Sequence, residues 1–339
     1  MKLKLDRATL RQAAIYAVLL AVGILVGWLL HVRSTLLEYR PYREQSSGYH
    51  FISPLLFVDV DEEYAFPKFR GLKQTVTAYA DETLASPAVE DLSIYFRNVN
   101  TSQWIAVNPD ERYAPGSMLK VITLMSVLRV AEDQPDLLGR RVVPRGIEEQ
   151  FPTGHGLYEP ENPVRSGRVY TVEELLRRLV VDSDNGANAA LSQLIGEAKV
   201  LETYDDLQLP RPTRDTGYTP REYSRVFRAL YNGTYLSHDQ SEAALKLLST
   251  TSFTPGIVAG VPDGVVVSHK FGVRNEAASS EAAAAGVFTK HELHDCGIVY
   301  HPRAPYFICV MTRGTDLAAL EEAIKEASAL VWKEVERLN

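Results

Sequence analysis

Ser117 and Lys120 stand three residues apart in Tyr113-Ala-Pro-Gly-Ser-Met-Leu-Lys120, and an apolar run, residues 121–130, follows at once. Pro115 and Gly116 are breakers that end a loop. The run is too long for an ordinary strand, so the pattern predicts a buried helix from about Ser117. A serine in a first helical turn meets backbone N–H groups without partners and the positive end of the helix dipole. That setting favours negative charge on its oxygen. Lys120 lies on the same helix face, with Cβ atoms roughly 5–6 Å apart. Set against an apolar helix, its amine is driven towards the neutral form, which can take the serine's proton. The pair reads as nucleophile and base. The same two residues also fit a helix-capping serine and a solvated lysine.

Two later stretches carry residues of related type. Ser183-Asp184-Asn185 lies 66 residues after Ser117, and Lys270-Phe271-Gly272 lies 87 residues after Ser183. A Ser-Asp helix cap and an exposed strand lysine are the plain alternatives.

The elements that must position these groups are legible. Residues 69–84 read as an amphipathic helix. Residues 92–99 and 103–107 read as a hairpin, and the nucleophile helix comes next. Thr171-Val-Glu-Glu174 is a capping box, opening a helix that ends near Val181 and hands over to Ser183. Residues 188–200 form the next helix, and 220–230 and 239–248 two more. The β-branched run before Lys270 is a strand, with further strands at 295–300 and 306–311. Residues 315–338 form a closing helix with one apolar stripe.

In order and spacing, Ser117-x-x-Lys120, Ser183-Asp-Asn185 and Lys270-Phe-Gly272 resemble the three motifs of the penicillin-recognising serine enzymes, most nearly the class A β-lactamase type of serine hydrolase. The resemblance covers roughly residues 68 to 337. It implies an α+β, three-layer α/β/α fold. A five-stranded antiparallel sheet carries flanking helices, and a helical subdomain is inserted between the second and third strands. The site lies in the cleft between the two parts. It also implies roles. Ser117 attacks an amide carbonyl, Lys120 is the base, and Ser183 passes a proton to the leaving nitrogen. Lys270 faces a substrate carboxylate and makes Ser183 more acidic. Asn185 binds a substrate amide. The Val273 N–H, beside Gly272, joins that of Ser117 in an oxyanion hole. No cofactor or metal is implied.

Two departures matter. Phe271 stands where the family usually has Thr or Ser, so a hydroxyl contact to the carboxylate is lost; Arg274 is the candidate replacement. The Glu-x-x-Leu-Asn loop that activates the deacylating water is absent, and the stretch 207–219 is too short to hold it. Asp205, Asp206, Asp215 and Glu222 are the acids nearby. Glu222, the second residue after Pro220, reads as serving the helix dipole. Three functions stay open. The first is a β-lactamase-type serine hydrolase with slow hydrolysis. The second is a peptidoglycan D-Ala-D-Ala carboxypeptidase or transpeptidase. The third is a non-catalytic protein that binds cell-wall fragments or β-lactams. The corresponding partners are a β-lactam or a peptidoglycan stem peptide.

The 339 residues, 45% hydrophobic and 23% charged, suit one large domain with extra segments. A net charge of −7 argues against a nucleic-acid partner. Residues 13–30 contain no charge, and eighteen helical residues span about 27 Å, close to a bilayer's hydrocarbon core. Lys2, Lys4, Arg7 and Arg11 precede them, so the N-terminus should stay inside. The expected layout is a short cytoplasmic segment (1–12), a signal anchor (13–30), an extracytoplasmic tether (31–67) and the catalytic domain (68–339) at the cell membrane. A cleaved signal peptide is the rival reading. Within the tether, 49–60 is strand-like, and Asp59, Asp61, Glu62 and Glu63 read as a solvated turn. His155 and Tyr158 read as surface-loop residues. Cys296 and Cys309 flank a turn. A two- or four-residue loop about Arg303-Ala304 would set them diagonally, a poor geometry for a disulfide. Both therefore read as small buried residues, with their redox state open.

Overall fold

The computed structural model describes residues 7–38, 43–45, 50–51, 55–57, 67–150, 158–213, 216–279, 281–282 and 285–339. His155, Asp215 and the acidic run 59–63 lie outside them. The chain separates into two units, Met1–Arg43 and Glu44–Asn339. The first holds helix α1, Arg7–Glu38. Its described side chains between Ile15 and Trp28 are exposed. Among the described residues no helix is long and apolar enough to cross a membrane.

The second unit is built on five antiparallel strands: β1 (Val89–Asn98), β2 (Trp104–Val107), β3 (Val267–Glu276), β4 (Lys290–Val299) and β5 (Tyr306–Gly314). Their spatial order is β2-β1-β5-β4-β3, which leaves β3 at an edge. On one face lie α2 (Arg70–Leu84) and the C-terminal helix α9 (Leu317–Leu338). Leu72, Val76 and Ala80 of α2 and Leu320, Ile324, Ala327 and Val331 of α9 fall three or four residues apart and are fully buried with Ile94, Phe96 and Ile308. Asp316 caps α9 by accepting from the N–H groups of Ala318 and Ala319.

The other sheet face meets the part inserted between β2 and β3. That part contains α3 (Lys120–Asp133), α4 (Val172–Val181), α5 (Asn185–Ile195), α6 (Glu197–Asp206), α7 (Pro220–Tyr231) and α8 (His238–Leu248). Val121, Met125, Leu175, Leu179, Tyr223 and Phe227 pack there in one cluster that also holds Tyr95, Phe307 and Met311 of the sheet. The α+β architecture and the inserted helical part are those the sequence predicts. Differences are local. The single helix expected over 188–200 is two helices, broken at Gly196. Strand β3 runs six residues past Lys270. His50 and Phe51 dock on the domain: both N–H groups donate to the Glu242 carboxylate, and the Tyr300 hydroxyl donates to the Phe51 carbonyl at 3.0 Å.

The cysteines require a correction. Residues 300–305 separate β4 from β5, a longer loop than expected, and this sets the register so that Cys296 faces Cys309 directly. Their Cα atoms are 4.0 Å apart and the pair is a disulfide. It ties β4 to β5 in the row that also contains Lys270 and Tyr95.

Candidate active site

The turn that carries Ser117 is tighter than an α-helix. Gly116–Leu119 is a 3₁₀ turn, and α3 proper starts at Lys120. In such a turn side chains three apart eclipse one another. Ser117 and Lys120 therefore meet, with Lys120 Nζ 2.9 Å from Ser117 Oγ. The turn is held against the edge strand. A Cβ on Gly116 (φ +52°) would come within 2.6 Å of the Val273 carbonyl oxygen and 3.1 Å of the Val273 nitrogen. A Cβ on Gly272 would lie 2.2 Å from the Pro115 carbonyl oxygen. Both positions thus require glycine for close backbone approach. The edge strand β3 thereby lies close against the turn that carries Ser117.

Ser183 comes from the far side of the cleft. It links α4 to α5 with φ +53°, a conformation that costs a non-glycine residue of order 1–3 kcal/mol. Asp184 secures the link: its carboxylate caps α5 through Ala187 N–H at 3.0 Å and accepts from Val164 N–H at 2.7 Å. Ser183 Oγ then sits between two lysines, 3.1 Å from Lys120 Nζ and 2.9 Å from Lys270 Nζ. Lys120 also donates to the Ser183 carbonyl. Asn185 opens α5 and is exposed. Arg274 is half-buried, four strand positions beyond Lys270 and on the same face.

Burial shapes the electrostatics. Lys120 is about 5% exposed, and desolvation pushes its amine down to about 7 against the pull of Asp184. Lys270 is fully buried and moves well below the ordinary lysine value, first through desolvation and then through the nearby Lys120, with Asp295 opposing. The Lys120 ammonium thus makes the Lys270 proton easier to lose. The arrangement can take a proton from Ser117, pass it through Ser183 and hold an oxyanion.

Among the described residues, two acids near the expected deacylation loop are otherwise occupied. Asp205 is exposed and bridges to Arg211. Glu222 forms a reciprocal capping box with Thr219 and pairs with Arg112. That Thr-Pro-Arg-Glu pattern was readable as a cap. Asp206 is exposed.

Three further features escape the motif reading. First, Glu292 accepts from Ala114 N–H at 2.6 Å, and His294 Nε2 donates to the Ala114 carbonyl at 3.0 Å. Thr312 N–H donates to His294 Nδ1, which fixes the proton on Nε2. Burial would raise the Glu292 carboxyl, but the neighbouring His294 and hydrogen bonds from Arg313 and Ala114 N–H hold it below the usual carboxylate range. Arg313 reaches Glu292, Glu111 and Asp91 together and donates to the Arg112 carbonyl. The segment before Ser117 is thus clamped by residues nearly two hundred positions away. Second, the buried Tyr223 hydroxyl donates to the Met118 carbonyl at 2.8 Å. Third, Tyr158 is no plain surface residue: its ring packs edge-on against Phe253 and Phe271, at 5.2 and 5.5 Å between centroids.

A sequence profile of the β-lactamase enzyme family matches residues 72–335. A β-lactamase of Streptomyces albus G is 26% identical over 264 residues, covering 72% of this chain and 79% of the relative. Among solved structures, a β-lactamase from Chitinophaga pinensis superposes with a TM-score of 0.65 at 20% identity, over 78% of this chain and all of the other. PBP-A superposes with a TM-score of 0.63 at 18% identity, over 79% of this chain and 97% of its own. The matched region contains the nucleophile turn, Ser183 and the edge strand with Lys270, and the chain belongs to the β-lactamase enzyme family.

Proposed function

We propose that this protein is a membrane-anchored serine hydrolase that is acylated at Ser117 by a β-lactam or a related cell-wall amide. The observation that carries the reading is the continuous hydrogen-bonded chain Ser117–Lys120–Ser183–Lys270. Neutral Lys120 takes the Ser117 hydroxyl proton as Oγ bonds to the carbonyl carbon. The carbonyl oxygen becomes negative and is held by the N–H groups of Ser117 and Val273. As the C–N bond breaks, Ser183 gives its proton to the nitrogen and is resupplied by Lys120. The serine's proton ends on the amine, and the acyl group stays on Ser117. Asn185, exposed at the start of α5, would bind the acyl side chain's amide.

A second reading keeps the same acylation steps. Among the described acids near residues 207–219, Asp205 and Glu222 are engaged elsewhere, which favours an enzyme of the peptidoglycan D-Ala-D-Ala peptidase type that releases a β-lactam slowly. A PBP-A variant has been solved as an acyl-enzyme complex with penicillin G, in line with this reading. Whole-protein mass spectrometry after exposure to penicillin G should show one adduct, and peptide mapping should place it on the peptide containing Ser117. An adduct elsewhere, or none, removes the assignment.

The anchor rests on residues 13–30 and the preceding cations. With residues 31–67 as tether, they would hold the domain 68–339 outside the cell membrane. The full chain should stay in the membrane fraction after alkaline washing and lose that property when residues 1–30 are removed. Release of the intact chain by washing would overturn the anchor.

A further inference from the structure

Beside the catalytic residues an open groove of about 760 Å³ is lined by Asp182, Tyr158, Phe253 and Phe271, among others. Asp182 and Phe271 are the sequence neighbours of Ser183 and Lys270, which themselves do not line the groove. Its wall next to Lys270 is aromatic. Phe253 and Phe271 stack with centroids 4.3 Å apart, and Tyr158 closes on both edge-on. The Tyr158 hydroxyl is engaged by the Glu321 carboxylate, and Phe253 and Phe271 are almost wholly buried.

Lys270 offers little to an incoming anion. An ammonium has three N–H donors. Here one meets Ser183 Oγ at 2.9 Å and one the Phe271 carbonyl at 3.0 Å, and the Phe271 ring lies over Nζ at 4.0 Å. The side chain is fully buried, and Phe271 has no hydroxyl to donate. Among the groove's arginines, Arg178 is bound to Glu174 and to the Asn162 carbonyl, and Arg177 faces Asp182. Arg168 is exposed at the groove. Arg274 is about 13 Å further along β3, at roughly 3.3 Å per residue.

We infer that this cleft does not select for a carboxylate on the part of the acyl donor nearest Lys270 and Phe271. The inference rests on the acyl-transfer reading above and deepens it: the Phe271 ring over Lys270 Nζ, in place of a hydroxyl, removes the carboxylate contact on the leaving side of the scissile amide.

The test compares penicillin G with its methyl ester on the full chain, following adduct formation at Ser117 by whole-protein mass spectrometry. Acid and ester should acylate the native protein at rates within about threefold, since no charge-assisted hydrogen bond distinguishes them. Phe271→Thr restores a donor and should shift the acid-to-ester ratio at least about tenfold towards the acid. A native preference for the acid of about tenfold or more overturns the inference while leaving the acyl-transfer reading intact. An unchanged ratio in a folded Phe271→Thr protein also overturns it. No adduct from either compound removes the acyl-transfer reading and the inference with it. Where the variant fails to fold, the native ratio decides.

Discussion

Lys120→Arg should slow acylation of Ser117 by about 10²–10⁴-fold, the usual worth of a positioned base. Arginine keeps the positive charge, but its guanidinium does not release a proton at any pH the protein survives. A structural or merely electrostatic role for Lys120 therefore predicts a mild effect, and a base predicts a severe one. The native protein adds a second readout. Burial brings Lys120 down to about 7, so its neutral fraction grows as pH rises through 7. Acylation should be slow at pH 5, rise through about pH 7 and level off above it. Stability shifts the same way. In the unfolded chain this lysine holds its proton up to its ordinary value of 10.5, whereas the native form gives it up above about 7. Between those values the unfolded state binds more protons, so the contribution of this group to stability rises with pH. Lys270, also lowered, adds in the same direction. Stopped-flow acylation of native and variant protein across pH 5–9, with circular dichroism to verify folding, checks the assignment. A near-native rate for Lys120→Arg, or a flat native profile, would make Lys120 structural.

The parts of the site that were legible in the sequence are those built from local spacing. Ser117 and Lys120 are fixed by one turn, and Ser183 by the helix that ends just before it. Lys270 is marked by a β-branched strand and a following glycine. What the sequence did not disclose depends on register and on distant partners. The clamp on Ala114 joins it to Glu292 and His294, and the spacing between those strands and the loop leaves no local trace. Gly116 read only as a breaker, because its need for close approach to Val273 depends on where β3 lies. The disulfide was misjudged for the same reason: a longer turn moves every pairing, and a diagonal pair becomes a direct one. Tyr158 sits in a loop-rich stretch with no periodicity to mark it. Its aromatic partners come from the α8–β3 connection and from β3 itself. Phe271 was visible as a departure from the family pattern, but its meaning required seeing Lys270 covered by its own neighbour's ring.

Turnover of a β-lactam should be limited by loss of the acyl group from Ser117. A reaction mixture should show a burst equal to the enzyme present, then a slow steady state. Acylation has its groups in place: Ser117 and Lys120 in contact, Ser183 between two lysines, and the backbone of Val273 against the nucleophile turn. Hydrolysis of the ester needs a base aimed at a water on the acyl carbon. Two of the described acids nearest the shortened loop have other work. Asp205 is bound to Arg211, and Glu222 is consumed by its capping box and by Arg112. Breaking the latter contacts to free the carboxylate would cost α7 its cap, worth about 0.5–2 kcal/mol. Without a base the second step forgoes about 10²–10⁴-fold of rate, or roughly 3–5 kcal/mol of barrier at about 1.4 kcal/mol per tenfold. That gap separates the two steps enough for the acyl-enzyme to accumulate. Inserting a longer, glutamate-bearing loop in place of residues 207–219 should raise the steady-state rate far more than the burst rate, because it supplies only the missing second-step base. Fast, burst-free hydrolysis by the native protein would refute this division. It would require Lys120 and Ser183 to act again in the second step, and Lys120→Arg would then suppress deacylation as strongly as acylation.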